Sequence, residues 1–111
     1  MELSKREKKI ARELIEKGLQ KEFAKALADT REILSGQLIE EVDNRGTYYL
    51  LYTHITDFDK HIARRYDGMR PSNYLLIIAA QLNEGFITEN DLDSLPEEIK
   101  QDVLSINRFT Q

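Results

Sequence analysis

The chain has no cysteine and only two histidines, and these absences argue against several classes of function. Without thiols, the protein forms no disulfide, carries no thiolate nucleophile and builds no cysteine-ligated metal site. The sequence also lacks the Glu-x-x-His motif of di-metal helical bundles and the Gly-x-Ser-x-Gly elbow of serine hydrolases. Enzymatic activity is therefore not the expected function, and a metal-dependent helical enzyme is kept only as a third hypothesis.

Long apolar segments are also absent. The longest apolar run, from Tyr74 to Ala80, is far too short to cross a bilayer. The basic residues near the N-terminus are not followed by an apolar stretch, so no secretory signal is expected. Together with the lack of cysteine, these features predict a cytoplasmic protein with no membrane partner.

The charges are unevenly distributed along the chain. The net charge of −4 divides into +2 over residues 1–36, −1 over residues 37–71 and −5 over residues 72–111. The basic residues of the first third alternate with acids, whereas nucleic-acid binding needs clustered and uncompensated cations. Residues 75–95 resemble a helix-turn-helix, but the helix that would enter the DNA groove carries acidic residues and no cation. No nucleic-acid partner is predicted.

The pattern of apolar residues predicts one helical domain over residues 1–111, with residues 1–3 and 108–111 expected to fray. Steps of three and four residues predict a long first helix from Ser4 to about Leu34. Ser4 and Glu7 form a capping-box pattern, and Gly18 is the expected weak point of the helix. Gly36 offers a stop signal, and residues 38–42 either extend the helix or form a short separate one.

Four further helices are predicted after a turn at residues 43–46. Thr47 is expected to cap the second helix, which runs to about Tyr66 with an apolar stripe at Leu51, Ile55, Phe58 and Ile62. The third, residues 73–84, is apolar on nearly every side and ends at Gly85, and two short helices begin near Thr88 and Pro96. The predicted fold class is all-α: a small helical bundle with one long N-terminal helix, two medium helices and a short C-terminal helical pair.

The corner Arg64–Tyr74, between the second and third helices, is the main candidate site. Three arginines surround a loop that leads into a helix N-terminus, a combination suited to phosphate or carboxylate groups. Alternatively, Arg64 or Arg65 pairs with a nearby aspartate (Asp57, Asp59 or Asp67) and only fixes the loop. The candidate residues for a ligand, an anion or a partner are His61, Arg64, Arg65, Tyr66 and Arg70.

The two histidines share one flank of the second helix with an aspartate. His54 and His61 are two turns apart, roughly 10 Å along the axis. One metal ion would have to lie about 2 Å from each ring, so His54, Asp57 and His61 are only weak metal candidates. Asp57, four residues before His61, is placed to orient its ring. No cofactor is predicted and no catalytic residue is assigned.

Three tyrosines, Tyr48, Tyr49 and Tyr52, lie near the start of the second helix. They are interpreted as lying on different sides of it, so not all are buried, and a mixed role in the core and at its boundary is expected. An exposed aromatic cluster, which is typical of a partner surface, is the alternative.

The preferred function follows from the first helix. The apolar stripe of the first helix rotates along its length, and one small core does not cover all of it. We therefore expect a non-enzymatic interaction or accessory protein with a protein partner, or one that self-associates through its first helix. The alternative is a small-ligand or anion-binding domain that uses the Arg64–Tyr74 corner.

Overall fold

The computed structural model describes residues 2–36 and 43–110, with side chains through residue 108. These residues form four α-helices: α1 (Lys5–Ser35), α2 (Asn44–Tyr66), α3 (Tyr74–Asn83) and α4 (Glu97–Thr110). Two 3₁₀ segments, Pro71–Asn73 and Glu89–Ser94, precede α3 and α4. No β-strand occurs among the described residues, and the predicted all-α fold class is confirmed. The predicted continuation over residues 38–42 lies outside the described residues.

Several helix ends are where the sequence predicts them. The Ser4 N–H donates to Glu7 Oε1 (2.7 Å) and the Glu7 N–H donates to Ser4 Oγ (3.1 Å), which is the predicted capping box. Gly36 and Gly85, with φ of 74° and 84°, follow the ends of α1 and α3. A positive φ is inexpensive only for glycine, and this explains why both helices stop at these positions.

Three predictions about the start, the type and the end of helices are corrected. Helix α2 begins at Asn44, because Asp43 and not Thr47 is the cap: its Oδ1 accepts the Gly46 N–H at 2.8 Å. The segment that follows Thr88 is a 3₁₀ helix and not an α-helix. Helix α4 continues to Thr110, so residues 108–110 are helical where fraying was expected, and at the other terminus Leu3 is buried.

The chain divides into two compact units, Met1–Lys21 with Met69–Gln111 and Glu22–Gly68. The single-domain interpretation stays a prediction. In the first unit, α3 packs on α4 and buries one polar and four apolar or aromatic side chains of its own. Leu76 on α3 is 58% exposed, so this helix is not covered on every side.

Gly18 has a specific role in the first unit. Gln81, which is fully buried on α3, donates from Nε2 to the Ile15 carbonyl of α1 at 2.9 Å. A Cβ atom at Gly18 would lie 2.5 Å from Gln81 Cδ. The glycine therefore lets a buried amide reach the backbone of α1, and its local cost in helix propensity is offset by this close approach.

The second unit is a pair of helical segments, residues 22–35 of α1 and all of α2. Its aromatic contact is an edge-to-face pair, Phe23 with Phe58, whose ring centroids are 5.1 Å apart. None of the 23 residues of α2 is buried. Within residues 2–36 and 43–110, none of the helices combines the length and hydropathy that crossing a bilayer requires.

Candidate functional site

Glu22 is the most unusual side chain of the second unit, because it is a carboxylate with only 2% of its surface exposed. Helical periodicity places it on the apolar stripe of α1, in line with Ile15 and Ala26. A buried carboxylate is costly unless charge and hydrogen bonds compensate it. The unit supplies this compensation from α2.

Three donors near the end of α2 converge on Glu22. His61 Nε2 lies 2.6 Å and Arg65 Nη1 3.0 Å from Oε1, and the Tyr66 hydroxyl donates to Oε2. A carboxylate can only accept, so the ring of His61 carries its proton on Nε2 in this contact. The guanidinium of Arg65 is itself only 14% exposed and balances the carboxylate charge. We call these four residues the Glu22 cluster.

Both histidines are engaged with α1. His54 Nε2 is 3.0 Å from the Ala26 carbonyl oxygen, which can only accept, while His61 Nε2 is bound to Glu22. In the described part of the chain, no hydrogen bond joins Asp57 to His61, and Asp57 is exposed. The orienting partner of His61 is thus Glu22 and not the predicted Asp57.

The structure brings together three of the five candidate residues, namely His61, Arg65 and Tyr66. Arg64 is exposed on α2 and makes no hydrogen bond or ion pair to the described residues. Arg70 belongs to the first unit, where its backbone N–H donates to Asn73 Oδ1 at 2.9 Å. Arg65 pairs with Glu22 of α1 and not with one of the predicted aspartates. The available signal was a lone acid on an apolar helical stripe.

An aromatic surface on α2 is the second notable feature of this unit. Tyr48, Tyr49 and Tyr52 are 63%, 59% and 59% exposed, and Ile55 is 47% exposed. Helical periodicity puts these four residues within about 120° of one another. Since all three tyrosines are exposed, the mixed core-and-boundary role expected for them is wrong. The rings of Tyr48 and Tyr49 meet edge to face with centroids 5.6 Å apart. A contiguous aromatic surface of this kind is typical of a protein contact.

A shallow groove runs beside this surface between the second half of α1 and α2. Its volume is about 230 Å³, and its lining is mostly apolar. The Phe23–Phe58 pair, Leu27 and Ile55 form most of it, with His54 and Asp59 as polar groups. The groove has the size of one or two side chains and not of a drug-sized ligand.

The clearest electrostatic shift lies in the first unit. Lys17 Nζ is 2.5 Å from Asp91 Oδ1, and Asp91 Oδ2 accepts the Thr88 N–H at 2.8 Å. The Lys17 hydrogen bond, helped by the Thr88 N–H, lowers the pKa of Asp91 from 3.8 to about 2. Because Asp91 also completes the capping box of Thr88 at the start of the 3₁₀ segment, this shift is explained by a structural role.

Comparison with known proteins identifies the fold. No protein-family model matches the chain, and no curated protein matches it by sequence. Among solved structures, it is similar to an arginine-to-lysine mutant of the Fluorescence Recovery Protein from Synechocystis sp PCC 6803. The two chains share 21% identity, the match covers 96% of this chain and 98% of that chain, and the TM-score is 0.76. At this identity, the likeness shows a shared fold over nearly the whole length of both chains.

Proposed function

We propose that this chain is a non-enzymatic interaction protein that associates with a second copy of itself through α2. The observation that supports this most is the exposure of α2: a helix of 23 residues buries none of them and presents three tyrosines and an isoleucine to solvent. A helix with so much apolar and aromatic surface exposed gains free energy when a partner covers it.

Two further observations support an interaction role. The Glu22 cluster uses the donors of His61 and Arg65 inside the chain, which stabilises the helix pair and takes these groups away from chemistry on a substrate. The structural neighbour, the Fluorescence Recovery Protein, is named for a process and not for a reaction or a substrate. We infer an accessory role of the same general kind for this chain, with a cytoplasmic location.

The self-association face differs from the one expected from the sequence. That expectation placed it on the first helix, where Leu27 and Leu34 are 57% and 62% exposed. The larger continuous aromatic surface belongs to α2, and aromatic residues contribute most to protein interfaces. We therefore propose α2 as the centre of the interface, with Leu27 of α1 beside it.

The test is the oligomeric state of matched variants. We expect sedimentation velocity at micromolar concentration to show a dimer for the wild type and for Arg64→Gln. Tyr49→Glu should give a monomer with an unchanged far-ultraviolet circular dichroism spectrum, because a carboxylate replaces an aromatic ring in the contact. The two substitutions change the net charge by the same amount, so charge alone would affect both. A wild-type protein that remains monomeric up to about 100 μM, a concentration at which even a weak specific dimer with Kd near 10 μM is populated, would refute the proposal.

A further inference from the structure

The groove between the second half of α1 and α2 has apolar walls that a single copy of the chain forms. Phe23 and Phe58, in edge-to-face contact, are its aromatic wall, and the exposed side chains of Leu27 and Ile55 are its aliphatic wall. Its volume is about 230 Å³, and an apolar cavity of about 150 Å³ is enough to hold benzene. The groove therefore accommodates one aromatic ring with a short chain attached to it.

Two of the three polar side chains that line the groove are hydrogen-bonded to the backbone of α1. His54 Nε2 lies 3.0 Å from the Ala26 carbonyl oxygen, and Thr30 Oγ1 donates to the same oxygen at 2.9 Å. Since a carbonyl oxygen can only accept, both side chains direct a donor at the helix and not at the open space of the groove.

The third polar side chain, Asp59, has no such partner. It is exposed and makes no hydrogen bond or ion pair with the residues that the structure describes. Its neighbours on the surface of α2, three and four positions away, carry no charge: Ile55, Thr56, Ile62 and Ala63. The groove thus has a negative charge at its edge that its own helix does not compensate.

These properties select a ligand by its charge and its size. Asp59 would repel an anionic ligand, and a neutral one would leave the carboxylate without a counter-charge. An ammonium group on a small apolar body meets both conditions, because the body covers the apolar walls and the ammonium donates to the carboxylate. Aromatic rings near a carboxylate also suit such ions, since the face of a ring attracts a cation.

We propose that the groove is a binding site for a small organic ammonium ion, with the apolar body of the ion on the aromatic wall and its ammonium group paired with Asp59. The site lies within one copy of the chain, so this proposal does not rest on the proposed self-association. Because the groove is shallow and Asp59 is exposed, the apolar walls supply most of the affinity and the ion pair supplies the preference for a cation.

NMR titration with three ligands of similar shape tests this site. 2-Phenylethylammonium is positively charged, 2-phenylethanol is neutral and 3-phenylpropionate is negatively charged. We expect the wild type to bind the ammonium with a Kd of roughly 1 mM, the alcohol about three- to fivefold more weakly and the carboxylate more weakly still. Backbone amides along the groove should shift, and nuclear Overhauser effects should join the ligand ring to the methyl groups of Ile55.

Two matched variants separate a local ion pair from the overall charge of the protein. Asp59→Asn and Asp57→Asn change the net charge equally, and Asp57 is exposed but does not line the groove. Asp59→Asn should bind 2-phenylethylammonium about three- to fivefold more weakly than the wild type does, whereas Asp57→Asn should bind it with unchanged affinity. Leu27→Ser shortens an exposed wall residue and should weaken the binding of all three ligands.

Three results would overturn the proposal: no shifts along the groove up to about 20 mM 2-phenylethylammonium, equal affinity of the wild type for the ammonium and the alcohol, or equal weakening in Asp59→Asn and Asp57→Asn. None of these results depends on the oligomeric state. A monomeric wild type that binds the ammonium through Asp59 would refute the proposed function and support the site, and a dimeric wild type that does not bind it would do the reverse.

Discussion

Glu22 shows how one buried carboxylate can hold two helical segments together. It accepts from His61, Arg65 and Tyr66, residues 39 to 44 positions further along the chain. Hydrogen bonds to a charged acceptor are stronger than neutral ones, and burial keeps water from competing with them. Glu22 is an acid on the apolar stripe of α1, and its hydrogen bonds thus hold one particular face of α2 against α1.

Removing the charge of Glu22 should destabilise the protein more than removing any one donor. We expect Glu22→Gln to lower the free energy of unfolding by about 3 kcal/mol, because the buried ion pair with Arg65 and the charged acceptor for His61 and Tyr66 are lost together. Tyr66→Phe removes one hydroxyl donor and should cost about 1 kcal/mol. Urea unfolding followed by circular dichroism measures both values.

The matched control for this prediction is Glu16→Gln on the same helix. Glu16 is exposed and, within the described part of the chain, accepts only from Gln20 at 2.8 Å, so its loss should change the free energy of unfolding by less than about 0.5 kcal/mol. Equal effects of Glu16→Gln and Glu22→Gln would mean that the cluster contributes nothing beyond ordinary surface charge.

The candidate site was only partly predictable from these residues. The 3.6-residue period put His61 and Arg65 on one flank of a helix, which correctly grouped them. The period cannot tell which other helix that flank meets, and it therefore favours the nearby aspartates as acceptors. Glu22 lies on the preceding helix, 39 residues before His61, and its role depends on a tertiary contact that local patterns do not encode.

Helix α1 contains a position where local preference and tertiary packing oppose each other. Glycine in a helix interior costs up to about 1 kcal/mol relative to alanine, and from sequence Gly18 is a weak point. In the first unit the same glycine makes room for Gln81, whose amide donates to the Ile15 carbonyl. Helix propensity is therefore a poor guide to stability at a glycine where a neighbouring side chain fills the space that a Cβ atom would take.

Gly18→Ala should consequently destabilise the protein by about 1–2 kcal/mol instead of stabilising it. The new Cβ would meet Gln81 Cδ at 2.5 Å, and the fully buried Gln81 has no solvent to swing into. The thermal unfolding midpoint should fall accordingly. In a Gln81→Ala background the same substitution should be neutral or stabilising, and a loss of stability in both backgrounds would contradict the steric explanation.

The ends of the helices illustrate what a sequence can and cannot locate. Ser4 and Thr88 cap as predicted, because a small hydroxyl residue followed three positions later by an acid satisfies two backbone groups at once. The composition of residues 43–46 predicts a turn, whereas Asp43 caps α2. Aspartate competes well with threonine for this position, and composition alone did not separate a turn from a cap.

The all-α fold of the whole chain was predictable because it follows from local signals repeated over long stretches. The three- and four-residue spacing of apolar residues, the caps and the glycines at helix ends all predict the same helices. A sequence whose local signals agree in this way specifies one fold. The division into two compact units was not predictable in this way. The first part of α1 contacts Gln81 of α3 and Asp91 of the second 3₁₀ segment, whereas its later part contacts α2. A continuous helical pattern carries no mark of that change.

The stability of the whole molecule in acid should depend on Asp91. Its pKa is lowered from 3.8 to about 2 mainly by Lys17, so the folded state favours the ionised carboxylate. The resulting stabilisation is fully present above pH 3.8 and is lost as the pH falls towards 2. Because Lys17 is 53% exposed, solvent reduces this contribution to roughly 1 kcal/mol or less.

Lys17→Gln isolates this contribution, since it leaves the Thr88 cap of Asp91 in place. We expect the variant to be less stable than the wild type by roughly 0.5–1 kcal/mol at pH 6, with the difference shrinking steadily below about pH 4 as Asp91 becomes protonated in both proteins. Chemical unfolding at several pH values between 3 and 7 measures the difference, and Lys21→Gln, which removes an exposed lysine from the same helix, controls for net charge. A difference that stays constant down to pH 3, or that grows as the pH falls, would show that Lys17 stabilises the protein by something other than its bond to Asp91.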